Sequence, residues 1–241
     1  MCATSDNSTN RSDKYSPLMT IKKVIKWTFI GLGLFIVLFI GYWIVLFYNS
    51  GLLQSSSKQE LIGNYNKKEK QILELKSYFN SIVPNGYTVY IEFESKRSID
   101  FSVYEIGKRT SQHGNFGLFQ QWDINPYDYE EPPNRDTSEY SPETNSLKLV
   151  KQRLSWNDDT FRTIKEKLDN ANCISISNGE PTEVGFARSG MGKYSYTIFT
   201  NSVPDSLKNQ YNDSCTYILY SNRVALEYGG GAIGSQCFPD K

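Results

Sequence analysis

The sequence predicts an α+β protein in which one N-terminal transmembrane helix precedes an antiparallel-sheet domain with packed helices. Three patterns predict this fold class. The run Trp27–Tyr48 contains no charged residue, Tyr87–Phe93 alternates between two sets of side chains with a period of two, and Lys67–Ile82 repeats apolar residues at helical spacing. As a helix, the 22 residues of the first run extend about 33 Å, enough to cross a hydrocarbon core of about 30 Å.

The charges beside Trp27–Tyr48 predict its orientation. Five cations precede the run, whereas the first cation after it is Lys58. Because cytoplasmic flanks carry the excess of Lys and Arg, residues 1–26 are expected to be a disordered cytoplasmic tail and 27–48 an uncleaved signal-anchor helix. A stem over 49–66 then leads to an extracytoplasmic domain over 67–241. The expected location is the cell membrane, with the domain in the periplasm if the cell is Gram-negative.

A cleaved signal peptide is the alternative for this run. It is disfavoured because the apolar run exceeds the usual length of about 15 residues and no A-x-A site follows it. Translation could start at Met1 or at Met19, since the residues after Met19 alone supply a cationic flank.

The composition bounds the classes of partner. Five of the 26 Lys and Arg residues and two of the 26 Asp and Glu residues precede residue 50, which leaves 21 cations and 24 acids beyond it. This balance, without a basic run, argues against nucleic-acid binding. The abundance of Asn, Ser, Tyr, Lys and Ile is typical of a bacterial protein from an AT-rich genome.

Further elements follow from periodicity and from turn residues. A second strand, Ile99–Ile106, is expected to form a hairpin with Tyr87–Phe93, and Phe116–Trp122 is the only strand expected in an otherwise irregular loop over 107–146. Asn157 is expected to cap a helix. The expected helices are Leu147–Leu154 and Asp158–Leu168; the later strands are Cys173–Ser177, Glu183–Ala187, Lys193–Thr200, Cys215–Tyr220 and Arg223–Tyr228.

Three cysteines lie in the expected outer domain: Cys173, Cys215 and Cys237. An oxidising compartment favours one disulfide and one remaining thiol. Cys215–Cys237 is the favoured pair, because a hairpin places Cys215 roughly opposite Tyr228 and the glycines after Tyr228 can fold the chain back.

Most catalytic motifs are missing from the sequence. His113 is the only histidine, no G-x-S-x-G segment accompanies it, and a surface-loop histidine is the preferred interpretation. The single histidine and scattered cysteines also fit no zinc site. No cofactor is expected.

The segment Arg188–Lys193 ends in a Gly-Lys pair but lacks the first glycine and the hydroxyl residue of a phosphate-binding loop. It is interpreted as a hairpin turn. Contact of Arg188 and Lys193 with an anion or a partner is the alternative.

Acidic residues accumulate after position 120. Asp123, Asp128, Glu130 and Glu131 form a candidate acidic-loop site, although their spacing does not match a calcium-binding loop. Nearby aromatic residues either anchor the loop or form a carbohydrate- or peptide-binding surface. They are Trp122, Tyr127, Tyr129 and Tyr140.

These observations favour a membrane-anchored extracytoplasmic binding module over an enzyme. Its expected partners are the lipid bilayer, through Trp27–Tyr48, and an envelope protein, in an immunity-like or envelope-associated role. The alternative is a membrane-tethered hydrolase that uses carboxylates of the acidic loop.

Overall fold

The computed structural model describes residues 17–49, 56–106, 118–130, 146–190, 192–229 and 234–239. The chain divides into two compact units, Met1–Ser50 and Gly51–Lys241. The described residues form four α-helices and one eight-stranded antiparallel sheet. The predicted α+β class is therefore confirmed.

The first unit contains helix α1 (Pro17–Asn49). Its segment Ile25–Leu46 has 22 residues and a mean hydropathy of 2.6. By length and composition this segment is able to cross a bilayer. The helix begins at a proline, which fits the first helical position because the missing N–H would have no partner there.

Helix α2 (Lys58–Ile82) opens the second unit. Its N-cap is Ser57, whose hydroxyl accepts a hydrogen bond from the Glu60 N–H (3.2 Å) while the Glu60 carboxylate accepts one from the Ser57 N–H (2.9 Å). This capping box fixes the start of the helix. The helix therefore begins nine residues before the predicted start at Lys67, and it includes residues 58–66 of the predicted stem.

The remaining elements form the sheet and two further helices. The strands are β1 (Tyr87–Phe93), β2 (Ile99–Glu105), β3 (Phe119–Ile124), β4 (Ser175–Ser177), β5 (Thr182–Ser189), β6 (Gly192–Ile198), β7 (Tyr217–Leu219) and β8 (Val224–Gly229); the helices are α3 (Leu147–Leu154) and α4 (Asp158–Ala171). The strand order is β3-β2-β1-β4-β5-β6-β8-β7. β4, which has only three residues, is one of the two central strands of the sheet.

The core lies between one face of the sheet and the helices. Alternate residues of the strands point to this face, and the apolar stripes of α2 and α4 pack against them. Trp156 joins the layers, because its ring contacts Phe79 of α2, Phe101 of β2 and Phe161 of α4 at centroid distances of 5.9, 5.9 and 5.6 Å. Its indole N–H donates to the carbonyl of Ile82 (3.0 Å).

The last strands end in a cross-linked segment. Cys215 and Cys237 form a disulfide with an S–S distance of 2.05 Å, the pairing favoured by the sequence. Phe238 is buried and its N–H donates to the Cys215 carbonyl (2.9 Å). The segment pairs with Gly229, which has φ +136° and whose Cβ, if present, would lie 2.8 Å from the Gly234 carbonyl oxygen. A glycine is required at this crossing.

Several element boundaries differ from the predictions. β3 extends to Ile124, so Asp123 belongs to a strand and not to the acidic loop. β4 and β7 are shorter than predicted. Thr216, not Cys215, lies opposite Tyr228, since its carbonyl accepts the Tyr228 N–H (3.1 Å). Asn157 caps α4 as expected.

Candidate functional site

A row of polar residues crosses the sheet on the face opposite the described helices. Paired residues on neighbouring antiparallel strands point to the same face. The row consists of Asp100, Glu92, Ser175, Gly185, Ser195, Glu227 and Tyr217, each paired with the next. Burial is deep for several of them, and Glu92 is 2% exposed. A buried carboxylate requires partners, because leaving it unpaired costs several kcal/mol.

Arg188 supplies the first partner of Glu92. Its Nε lies 2.6 Å from Glu92 Oε1, and its Nη2 lies 3.7 Å from Asp100 Oδ2. A bulge between Gly185 and Ala187 makes this contact possible. Without the extra residue, the period of two would turn Arg188 to the helix-covered face.

Lys193 supplies the second partner of Glu92. Its ammonium nitrogen lies 3.1 Å from Ser175 Oγ, 3.3 Å from Glu183 Oε1 and 3.6 Å from Glu92 Oε2. It also donates to the Tyr90 hydroxyl (3.2 Å). The Tyr90 hydroxyl in turn donates to Glu92.

Gly185 leaves the space that the Lys193 side chain occupies. A Cβ on Gly185 would lie 2.1 Å from Ser175 Oγ and 3.0 Å from Lys193 Cδ. The glycine therefore serves as a gap in the row of side chains, and the lysine crosses it to reach β4 and β1.

The pair Ser175 and Lys193 has the hydrogen bond of a Ser-Lys catalytic dyad. In such a dyad the lysine must be neutral to accept the serine proton. Burial alone lowers the pKa of Lys193, but the carboxylates of Glu183 and Glu92 outweigh it and hold this pKa above its ordinary value. Ser175 is also only 1% exposed. A protonated lysine beside a covered serine fits an ion-pair network and not a nucleophile with its base.

Carboxylates outnumber cations around this network. Burial and then the charge of Glu183 raise the pKa of Glu227, whose carboxylate accepts from Thr197 (2.9 Å) and Tyr217 (3.1 Å). Burial also raises the pKa of Asp100, with a further increase from Glu92. The cations Arg188 and Lys193 therefore neutralise only part of the negative charge.

The structure separates the candidate residues of the acidic loop. Asp123 joins the network, because its N–H donates to Asp100 Oδ1 (3.1 Å) and its carboxylate accepts from the Ser98 hydroxyl. Asp128 and Glu130 are exposed in the turn after β3. Glu131 lies outside the described residues. Within the described part of the chain, no group of His, Cys, Asp and Glu side chains is placed to hold a metal ion.

The aromatic residues near the acidic loop fall into two groups. Tyr129 packs on Phe119 with a centroid distance of 6.2 Å, and Tyr127 lies 5.2 Å from the Arg162 guanidinium. These two anchor the turn to the folded domain. Trp122, in contrast, is 65% exposed on β3. Tyr140 and His113 lie outside the described residues.

The turn between β5 and β6 is the hairpin that the sequence predicted. Gly190 has φ +58°, and Arg188 lies directly opposite Lys193. The two cations therefore converge, and their partners are carboxylates of the same chain. Reasoning from the sequence missed those carboxylates, because the strand pattern of β1 gives no indication that Arg188 and Lys193 reach across β4 to Glu92.

Two shallow grooves lie away from this network, on the helices. One of about 290 Å³ is lined by Lys68, Gln71, Glu74, Lys167 and Asn170. The other, of about 440 Å³, runs along α2 beside Leu73. Their mixed charges and open shape give no arrangement of a nucleophile with a base.

Comparison of the chain with protein-family models, with curated proteins and with solved structures finds no match to any of them.

Proposed function

We propose that this chain is a single-pass bacterial membrane protein whose folded domain lies outside the cytoplasm and binds another envelope protein without catalysis. An immunity-like or envelope-associated role fits this description. The proposal combines the apolar segment Ile25–Leu46 with the cations that precede it in the sequence. The Cys215–Cys237 disulfide supports an oxidising compartment.

The state of Lys193 carries the non-catalytic part of the proposal. Its ammonium group donates to the Ser175 hydroxyl and also forms ion pairs with Glu183 and Glu92. A lysine that is protonated and paired with carboxylates connects strands of the sheet and cannot accept a proton from the serine.

Limited proteolysis tests the orientation. Protease added to cells with a permeabilised outer membrane should remove the folded domain and leave a fragment that contains α1. Protection of the domain until the inner membrane is lysed would contradict the proposed orientation.

The competing proposal is a membrane-tethered hydrolase that uses carboxylates. Asp100 lies beside Asp123, and burial raises the pKa of Asp100, which is the direction in which a general acid is tuned. The full chain in uncharged detergent can be screened against glycans and peptides, with Asp100→Asn and with Asp123, Asp128, Glu130 and Glu131 each neutralised. Turnover that one substitution abolishes contradicts the binding module. Stoichiometric binding of one envelope protein without turnover contradicts the hydrolase.

A further inference from the structure

An exposed tryptophan on an edge strand marks a surface of this domain, and a docking role for that surface rests on the proposed binding function. Trp122 lies on β3, which pairs only with β2 among the described strands. Outside α1, Trp122 and Ile106 are the only large apolar side chains that are exposed in the described part of the chain. An indole ring in water is a common anchor of protein interfaces, where Trp, Tyr and Arg provide most of the binding energy.

A bulge fixes the backbone at Trp122. Gln121 pairs with Phe101 and Ile124 pairs with Ile99, so Trp122 and Asp123 together lie opposite Asp100. Asp123 has φ +53°, and its N–H is held by the Asp100 carboxylate. The backbone at Trp122 is therefore held in place before a partner binds.

Carboxylates lie near Trp122 in the strand pairing, because Asp123 follows it and Asp100 lies opposite both. Glu94, Asp100 and Asp123 interact with one another, and burial together with this repulsion raises the pKa of Glu94. Arg188 pairs with Glu92 and Asp100. No described cation forms an ion pair with Glu94 or Asp123, so their negative charge remains available to a cation from outside the chain.

We propose that Trp122, Asp123 and Glu94, the β3-edge patch, dock a basic surface of a partner protein that offers an apolar pocket for the indole. The charge selects this occupant over two others. A second copy would bring identical carboxylates face to face in a twofold contact. An anionic lipid surface carries the same sign of charge as the patch.

The full chain in uncharged detergent micelles can be titrated into fluorescein-labelled octapeptides that alternate Lys with Leu, Glu with Leu, or Lys with Ser. Fluorescence anisotropy should show tightest binding of the Lys-Leu peptide, weaker binding of Lys-Ser and none of Glu-Leu. Trp122→Ala should weaken Lys-Leu binding at least about tenfold, as expected for an interface anchor. Asp123→Asn should weaken it several-fold and reduce its salt dependence. Asparagine also tolerates the positive φ at this position.

Glu74→Gln is the matched control, because it removes one exposed charge from α2 on the helix layer. It should leave the affinity unchanged. No binding of the Lys-Leu peptide, equal binding of the Glu-Leu peptide, or full affinity after Trp122→Ala would overturn the proposed patch. If one envelope protein still binds stoichiometrically to Trp122→Ala, the patch is wrong and the proposed function stands. Turnover of a substrate would instead contradict the proposed function.

Discussion

The guanidinium of Arg188 lies 2.6 Å from the buried carboxylate of Glu92. The two residues come from strands that are not neighbours, β5 and β1, with β4 between them. The ion pair is therefore a side-chain connection across a third strand, and Lys193 makes a second connection to the same carboxylate.

Replacement of Glu92 should destabilise the domain strongly. Glu92→Gln leaves Arg188 and Lys193 side by side without their shared anion, and loss of one member of a buried ion pair costs about 3 kcal/mol or more. Urea unfolding of the full chain, followed by tryptophan fluorescence, measures the change in free energy. Asp159→Asn removes the partner of Arg162 in an exposed pair and should cost less than about 1 kcal/mol. Equal effects of the two substitutions would show that burial of Glu92 contributes nothing.

Substitution of Gly185 tests the gap that Lys193 crosses. Gly185→Ala places a methyl group against Ser175 Oγ and the lysine side chain, and we expect overpacking to cost about 1–3 kcal/mol. Gly63→Ala in α2 is the control, because nothing lies within 4 Å of its Cβ. A helical glycine replaced by alanine should stabilise by about 0.5–1 kcal/mol. The two alanines should thus act in opposite directions in the same unfolding experiment.

Stability should decrease as pH rises through the folded-state pKa of Glu227. Burial and Glu183 raise this pKa above the ordinary value of 4.5, so the folded state binds the proton more tightly than the unfolded chain. The unfavourable contribution is absent below the ordinary pKa, grows between the two pKa values and is complete above the higher one. Glu227→Gln should flatten this part of the curve in urea titrations from pH 4 to 8. An unchanged slope would contradict the assignment to Glu227.

Loss of the disulfide should destabilise the domain by about 3 kcal/mol, the value expected for a closed loop of this size. The double variant Cys215→Ala and Cys237→Ala tests this in the unfolding experiment.

Cys173 should react with iodoacetamide only after unfolding, because it is buried and burial raises its pKa. A non-reducing peptide map that links Cys173 to Cys215 or to Cys237 would contradict the pairing.

Quenching of tryptophan fluorescence should reveal the charge near Trp122. Carboxylates concentrate cations and repel anions, so the ratio of caesium to iodide quenching should be higher for Trp122 than for free N-acetyltryptophanamide. The difference between the full chain and Trp122→Phe isolates this residue from Trp27, Trp43 and Trp156. Buried Trp156 should respond to neither ion. A ratio lower than that of free N-acetyltryptophanamide would indicate a cationic surface and contradict the expected field.

The sequence allowed the regular elements to be predicted better than the side-chain network. Alternation in Tyr87–Phe93 predicted β1 to the residue, since local patterning suffices where one face is buried. The start of α2 was signalled by Ser57 and Glu60, whose spacing is that of a capping box, but the apolar period there begins late. The contact of Arg188 with Glu92 could not be predicted. It depends on the bulge that turns Arg188 to the polar face of the sheet, and on β4 lying between β5 and β1.

The shortness of β4 has a consequence for cooperativity. β4 forms three residue pairs with β1 and three with β5. The backbone connection between the strands β3-β2-β1 and the strands β5-β6-β8-β7 is therefore short. Arg188 on β5 and Lys193 on β6 strengthen this connection, because both side chains extend across β4 to Glu92 on β1. Separation of the two parts therefore requires both the ion pairs and the hydrogen bonds of β4 to break. The domain should consequently unfold as one cooperative unit. Without the ion pairs, the two parts of the sheet would separate at β4.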